Sequence, residues 1–282
     1  MKRLLIAITI LTFGLVAKGQ EIIYDKSDSI FIENVIEQVT QREHANIGDI
    51  VIDVAKQFGN SKYVGGTLDL GIDEPLFISC SKVDCTTFVE LVLSIAHTIA
   101  QGGNGFDDVC TNLEKIRYRN GIRNGYASRL HYISWWIDDN AAMGLLKDVT
   151  ACSVSKRQML DINFMSRHPQ SYPLLKNDPA MVSTIESYEL PYRNITVDYI
   201  PKQETCRSKE ELGIENGDII ALATSIEGLD VSHIGFAFWQ NGKLHLIHAS
   251  SQEGKVIIDT NTLHDYQKNK RRQIGIRVFR AI

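Results

Sequence analysis

The densest hydrophobic periodicity in the chain lies at Val83–Ala100, where Phe88, Val89, Leu91, Val92, Ile95, Ala96 and Ile99 recur at three- and four-residue spacing before Gly102-Gly103. That spacing predicts a long, largely buried helix. Two shorter helical patterns precede it. One covers Ser29–Thr40 with Ser27 and Asp28 as capping candidates, and the other covers Ile47–Phe58, stopped by Gly59-Asn60. Between them and the long helix, YVGGTLDLGIDEP (63–75) reads as a loop and Leu76–Ser79 as a short strand. Residues 106–190 are mixed and mainly helical, broken at Pro169, Pro173 and Pro179. From Ile195 the period changes to that of strands: Ile219–Ala223, Val231–Trp239, Lys243–Ser250, Lys255–Ile258 and Ile274–Phe279, with Asn241-Gly242 as a hairpin turn. Helices followed by a run of antiparallel strands predict an α+β fold.

The N-terminus changes the compartment. MKRLLIAITILTFGLVAKGQ carries a basic Lys2-Arg3 start, an apolar Leu4–Val16 stretch and a small-x-small Ala17-Lys18-Gly19 pattern. This is the layout of a secretory signal peptide over residues 1–19, and the apolar stretch is short for a membrane span. The expected product, residues 20–282, is exported, periplasmic or extracellular, with no membrane anchor after cleavage. The formal net charge of −4 becomes −7 without the three cationic residues of the leader, and no long basic cluster occurs, so nucleic acid is not an expected partner. A hydrophobic content of 44% excludes a largely disordered chain.

Chemistry enters through the cysteines. Cys80, Cys85, Cys110, Cys152 and Cys206 make an odd number in an exported chain, so at least one thiol is expected to stay free. Only Cys85 stands at the mouth of a strong helix. With Asp84 as cap, it occupies the first turn, where unpaired backbone N–H groups and the helix dipole favour a thiolate. A nucleophilic cysteine needs a base, and the strand region offers His233, His245 and His248. Strand alternation puts Val231, His233, Gly235, Ala237 and Trp239 on one face of the first hairpin strand, and Leu244, Leu246 and His248 on one face of the second. The hairpin then sets His233 beside His248 under the cysteine helix, where the small Gly235 and Ala237 let that helix approach. His245 points away, which weakens a zinc site built from the three histidines.

Four segments, DCTTFVE (84–90), GD (217–218), SHIGFAF (232–238) and IHASS (247–251), resemble in order the signatures of NlpC-type papain-like cysteine peptidases, which cut amide bonds in bacterial peptidoglycan. YVGGTLD (63–69), EPLFIS (74–79) and the stretch from RYRNG (117–121) to SRLHYISWW (128–136) resemble the N-acetylmuramoyl-L-alanine amidase-like branch of that superfamily. The resemblance implies a single papain-like α+β domain over 20–282, with a nucleophile at a helix N-terminus packed on an antiparallel sheet and a largely helical insertion at about 105–195. It implies Cys85, His233 and His248 as catalytic triad, no metal and no cofactor, and a monomer acting on muropeptides. Asp84 and Thr86 occupy positions that help bind the substrate in the endopeptidase branch. Tyr63 is implied as an oxyanion donor, Arg129 as a clamp for a peptide carboxylate, and Trp135 or Trp136 as a platform for a sugar ring. The implied reaction is hydrolysis of the muramoyl–L-alanine amide. A γ-D-glutamyl-diaminopimelate endopeptidase with the same triad and a non-catalytic wall-binding module are the alternatives.

Overall fold

The computed structural model describes residues 21–69 and 74–282. The signal-peptide expectation at 1–19 and part of the loop expected at 63–75 lie outside the described residues. In chain order the elements are β1 (Ile22–Ile23), α1 (Lys26–Thr40), α2 (Ile47–Gln57), β2 (Lys62–Tyr63), β3 (Leu76–Phe77), β4 (Lys82–Val83), α3 (Cys85–Ala100), α4 (Phe106–Arg117), α5 (Ile133–Ala142), β5 (Leu146–Asp148) and β6 (Lys156–Leu160). They continue with α6 (Phe164–Arg167), α7 (Pro179–Glu189), β7 (Ile195–Pro201), α8 (Lys209–Leu212), β8 (Ile219–Thr224), β9 (Val231–Gln240), β10 (Lys243–Ser250), β11 (Lys255–Ile258), α9 (Leu263–Lys268) and β12 (Gln273–Ala281). The architecture is α+β.

Helix α1 begins three residues earlier than its apolar period suggests. Its cap is Asp25, and Ser27 lies inside the first turn. Asp28 turns its carboxylate back to the Asp25 N–H at 3.0 Å and also accepts the Cys80 N–H at 2.8 Å. A buried acid thus satisfies two backbone donors that the core would otherwise leave unpaired.

One sheet organises the molecule, in the order β4-β2-β11-β10-β9-β8-β12-β7-β6, with β5 on β12. Its neighbours are antiparallel except β2 and β4. The β9–β10 hairpin turns at Asn241 and Gly242, with φ of 51° and 71°, the left-handed pair that a two-residue turn of matching twist requires. The segment at 105–195 is helical in the main, but it also supplies β5 and β6, which extend the same sheet.

Helix α3 is buried on every side from Thr87 to Thr98. It packs on the sheet face that carries Ile234, Phe236, Ile247 and Ala249, with the Phe88 and Phe236 rings edge to face at 5.7 Å. The opposite face holds a smaller core of Leu222, Ala237, Leu244, Leu246 and Leu263, against which Tyr266 of α9 packs. Within the larger core, Glu90 of α3 takes the Arg117 Nε at 2.7 Å, and the Arg117 Nη1 donates to the Phe77 carbonyl at 2.8 Å. Both side chains of the pair are almost fully buried. Glu90→Ala leaves that guanidinium without its counter-charge. It is expected to lower unfolding free energy by about 3–5 kcal/mol in denaturant titrations, and a loss below about 1 kcal/mol would contradict this account of the pair.

Candidate active site

Strand β4 ends at Val83, and Asp84 takes extended dihedrals before the chain enters α3. The Asp84 carboxylate accepts the Thr87 N–H at 2.8 Å, and the Asp84 N–H donates to the Thr87 hydroxyl oxygen at 2.9 Å. This reciprocal cap fixes Cys85 as the first helical residue. The thiol is partly exposed and lines a cavity of about 180 Å³ together with Thr86, His131, Tyr172, Asp230 and His233. Burial, followed by the Asp84 carboxylate, pushes the thiol up to about 11, against hydrogen bonds from the Ile234 backbone and from Thr86 that favour the thiolate. The depression expected from the helix start is therefore overturned: partial desolvation and a neighbouring anion outweigh the first-turn dipole.

The histidines meet on the face that alternation predicts, with Ala237, Leu244 and Leu246, but α3 packs on the opposite one. Register shifts between Leu222 and Ala223, so that Leu222 faces His233 while Ala223 faces Val231. This bulge at Ser232 breaks the alternation. Val231 is the residue displaced, joining Ile234 and Phe236 on the α3 side, while His233 keeps step with Ala237 and Trp239 on the α9 side, opposite Leu222. The expectation that Gly235 and Ala237 admit the cysteine helix is thus corrected. Gly235 is small for a different reason, since a Cβ there would stand 2.8 Å from the His248 Cβ and 2.8 Å from the Ile247 carbonyl. Cys85 reaches His233 around the start of β9, where the two line one cavity.

His233 Nε2 lies 2.7 Å from His248 Nδ1. His248 is fully buried, and its Nε2 faces the Asp259 Oδ2 at 3.4 Å. The Asp259 Oδ1 is held by the Asn261 N–H at 2.8 Å and the Asn261 side-chain amide at 3.0 Å. Burial raises the Asp259 carboxyl, but the His248 and Asn261 hydrogen bonds outweigh it and hold the group below the usual carboxylate range. The Asp259 carboxylate is the nearest acceptor to His248 Nε2 and only accepts, which favours the proton on Nε2 and leaves Nδ1 to accept. That assigns the His233 proton to Nε2 and leaves His233 Nδ1 as the free base. The Tyr266 ring lies 6.5 Å from the His233 ring and 5.5 Å from the His248 ring, closing this face. Burial, then electrostatic repulsion from the His248 and Lys270 side, lowers His233 to about 3.

The other expected residues divide. Tyr63 on β2 is partly buried, and desolvation followed by the charges of Cys85 and Asp84 raises its hydroxyl. Thr86 lines the Cys85 cavity and a second one of about 190 Å³ with Asp69, Asp84, Tyr126 and Arg129. The Arg129 fork is already occupied: Nη2 lies 3.2 Å from Asp69 and Nε 3.3 Å from Glu74, so it is not a free carboxylate clamp. Trp136 and Trp135 are each 1% exposed, so neither presents a ring face as a sugar platform. Trp135 is enclosed by Tyr132, Tyr188 and Tyr192. His245 donates from Nδ1 to the Asp259 carbonyl at 3.0 Å. All five cysteines are free. Asp259 and Tyr266 were not legible as site residues, because only the register of β11 against β10 brings them to the histidines.

Two measurements follow from this proton inventory. Ring-¹⁵N spectra of histidine-labelled protein at pH 7 are expected to show His233 and His248 as neutral Nε2–H tautomers, and Asp259→Ala is expected to mix the His248 tautomers; an Nδ1–H signal for His233 in the wild type would overturn the assignment. The acid limb of stability is the second. His233 at about 3 and His131, which burial and Arg129 hold well below its ordinary value, stay neutral where an unfolded chain protonates. Their contribution is complete above about pH 6.5 and is lost as pH falls, at about 1.4 kcal/mol per histidine per unit. Denaturant midpoints that do not drop between pH 7 and 4.5 would contradict it.

The fold has counterparts among known proteins. The structure superposes on a crystal structure named as an N-acetylmuramoyl-L-alanine amidase from Bacteroides uniformis, with a TM-score of 0.79 and 38% identity, covering 84% of this chain and 99% of that one. A Bacteroides fragilis protein provisionally named a xylanase gives 0.76 and 44%, covering 80% and 98%. A Legionella pneumophila protein gives 0.69 and 25%, covering 91% and 95%. No curated protein matches. The family model described as N-acetylmuramoyl-L-alanine amidase-like matches residues 53–276. With most of its length inside that match, the chain belongs to the N-acetylmuramoyl-L-alanine amidase-like family.

Proposed function

We propose that the protein is an exported peptidoglycan hydrolase of the papain-like NlpC type, a cysteine amidase that cleaves the N-acetylmuramoyl–L-alanine bond of muropeptides. The observation that carries this reading is the shared cavity of Cys85 and His233, with the His233 proton held on Nε2 by the His248–Asp259 arrangement. The names of the Bacteroides uniformis relatives support the choice of bond.

At neutral pH the resting pair is a neutral thiol and a neutral imidazole. The proton leaves Sγ as His233 Nδ1 takes it and as sulfur attacks the lactyl carbonyl carbon. The oxyanion forms beside the Cys85 N–H, one of the unpaired donors of the helix start, and the Tyr63 hydroxyl. When the intermediate collapses, the C–N bond breaks and His233 returns the proton to the departing L-alanine amine. A thioester remains. His233 then takes a proton from water, whose oxygen attacks the thioester carbonyl, and the muramoyl carboxylate leaves as Sγ recovers its proton.

Cleavage of sugar bonds, as the name of the Bacteroides fragilis relative suggests for that protein, uses two carboxyl groups about the scissile bond. The carboxylates of this cleft are otherwise engaged: Asp84 caps α3, Asp69 pairs with Arg129 and Glu90 with Arg117. The amidase reading is tested with a disaccharide-tetrapeptide muropeptide and mass spectrometry. The wild type is expected to release free tetrapeptide and free disaccharide, and Cys85→Ala and His233→Ala are each expected to lose at least about 10³-fold in kcat. Release of diaminopimelate-D-alanine would move the cut to the endopeptidase bond. Unchanged turnover in Cys85→Ala would refute the mechanism.

A further inference from the structure

The cleft contains one imidazole that this mechanism does not use. His131 stands between the Tyr118–Arg129 bridge and the start of α5, and it lines both the Cys85 cavity and the neighbouring Asp69–Arg129 cavity, as do Thr86 and Tyr172. Its Nε2 lies 2.9 Å from the Tyr126 carbonyl oxygen, and its ring packs on the Tyr126 ring at 4.3 Å. A carbonyl only accepts, so the ring proton sits on Nε2. Nδ1 then carries a lone pair. Among the described residues it has no partner, and it is not one of the buried atoms sealed from solvent. Burial and the Arg129 guanidinium keep the ring uncharged, so Nδ1 does not become a donor.

Two other polar side chains of the Cys85 cavity are already engaged. Asp230 takes the Ser134 N–H at 2.6 Å on one oxygen and the Val231 N–H at 2.8 Å on the other. Ser232 donates to the Leu222 carbonyl at 3.3 Å. Each cavity has room for about one residue-sized group, and a substrate with its scissile carbonyl at Cys85 that extends into both runs past the shared Thr86, His131 and Tyr172. A peptide crossing there brings a backbone N–H that has left water and needs an acceptor.

We propose that His131 Nδ1 accepts the N–H of the peptide bond that follows the L-alanine of the substrate, and so selects stems joined there by an amide over analogues with no N–H at that position. The proposal rests on the amidase reading above. Two muropeptides distinguish it, identical except that the bond after L-alanine is an amide in one and an ester in the other. Both retain the muramoyl–L-alanine amide, whose cleavage is followed by mass spectrometry. The wild type is expected to favour the amide substrate by about 10–100-fold in kcat/KM, since a site built around a hydrogen bond rejects the analogue lacking it. His131→Leu is expected to lose that factor on the amide substrate and bring the ratio near one, and His131→Gln, which keeps an acceptor, to retain part of it. Alkylation of Cys85 at the wild-type rate in each variant identifies a folded active site, and the His131→Gln ratio decides if His131→Leu does not fold. A wild-type ratio near one, or an unchanged ratio in His131→Leu, overturns the proposal. Undiminished cleavage by Cys85→Ala would instead sink the amidase mechanism, whatever the ratios.

Discussion

The structure depends on where α3 begins. Asp84 ends a strand and caps a helix in one residue, and the cap holds because its carboxylate and backbone N–H are answered by the backbone and hydroxyl of Thr87. A helix buried on every side cannot slide or fray without exposing apolar surface. Its first residue is therefore as fixed in space as its middle. The Glu90–Arg117 pair two turns in, tied to the Phe77 carbonyl, joins that helix to α4 and to the short β3 strand. Cys85 is accordingly presented by a rigid element, with one small cavity open beside it.

Charge at the site follows from the same burial. A helix start, considered alone, favours a thiolate. In this fold the desolvation of Cys85 and the carboxylate that makes the cap act the other way, and His233 is held neutral by its own burial. The cap that positions the nucleophile also discourages its early ionisation. Proton transfer then belongs to the bond-forming step, and the work of the histidine chain is to keep one nitrogen of His233 vacant.

Much of this was legible in the sequence, for identifiable reasons. Long elements with strong periods, such as α3 and the β9–β10 hairpin with its Asn241-Gly242 turn, declare themselves locally. Asp84 and Cys85 were legible because a cap and a first turn are adjacent in the chain. Two-residue strands such as β2 and β4 carry no period and escape notice, as does the start of α1, where Asp25 rather than Ser27 or Asp28 is the cap. A bulge of one residue at Ser232 cannot be read from alternation, and it moves Val231 off the face that His233 shares with Ala237. Trp135 shows the converse limit: an aromatic pair in a family-like stretch looks like a platform for a sugar, while Tyr188 of α7 and Tyr192 of the following turn, distant in the chain, enclose it. Asp259 is found only through the pairing of β11 with β10.

The face on which the histidines lie has a further effect. The histidine chain and Tyr266 stand on one side of the sheet, while His131, Tyr132, Ile133, Met165 and Tyr172, the cleft walls beside Cys85, come from the 105–195 segment. Reactivity and recognition are encoded in separate stretches of sequence and meet only at the sheet edge. A lineage can rewrite the walls, lengthening or exchanging them to suit a different stem, and inherit the proton-handling apparatus untouched.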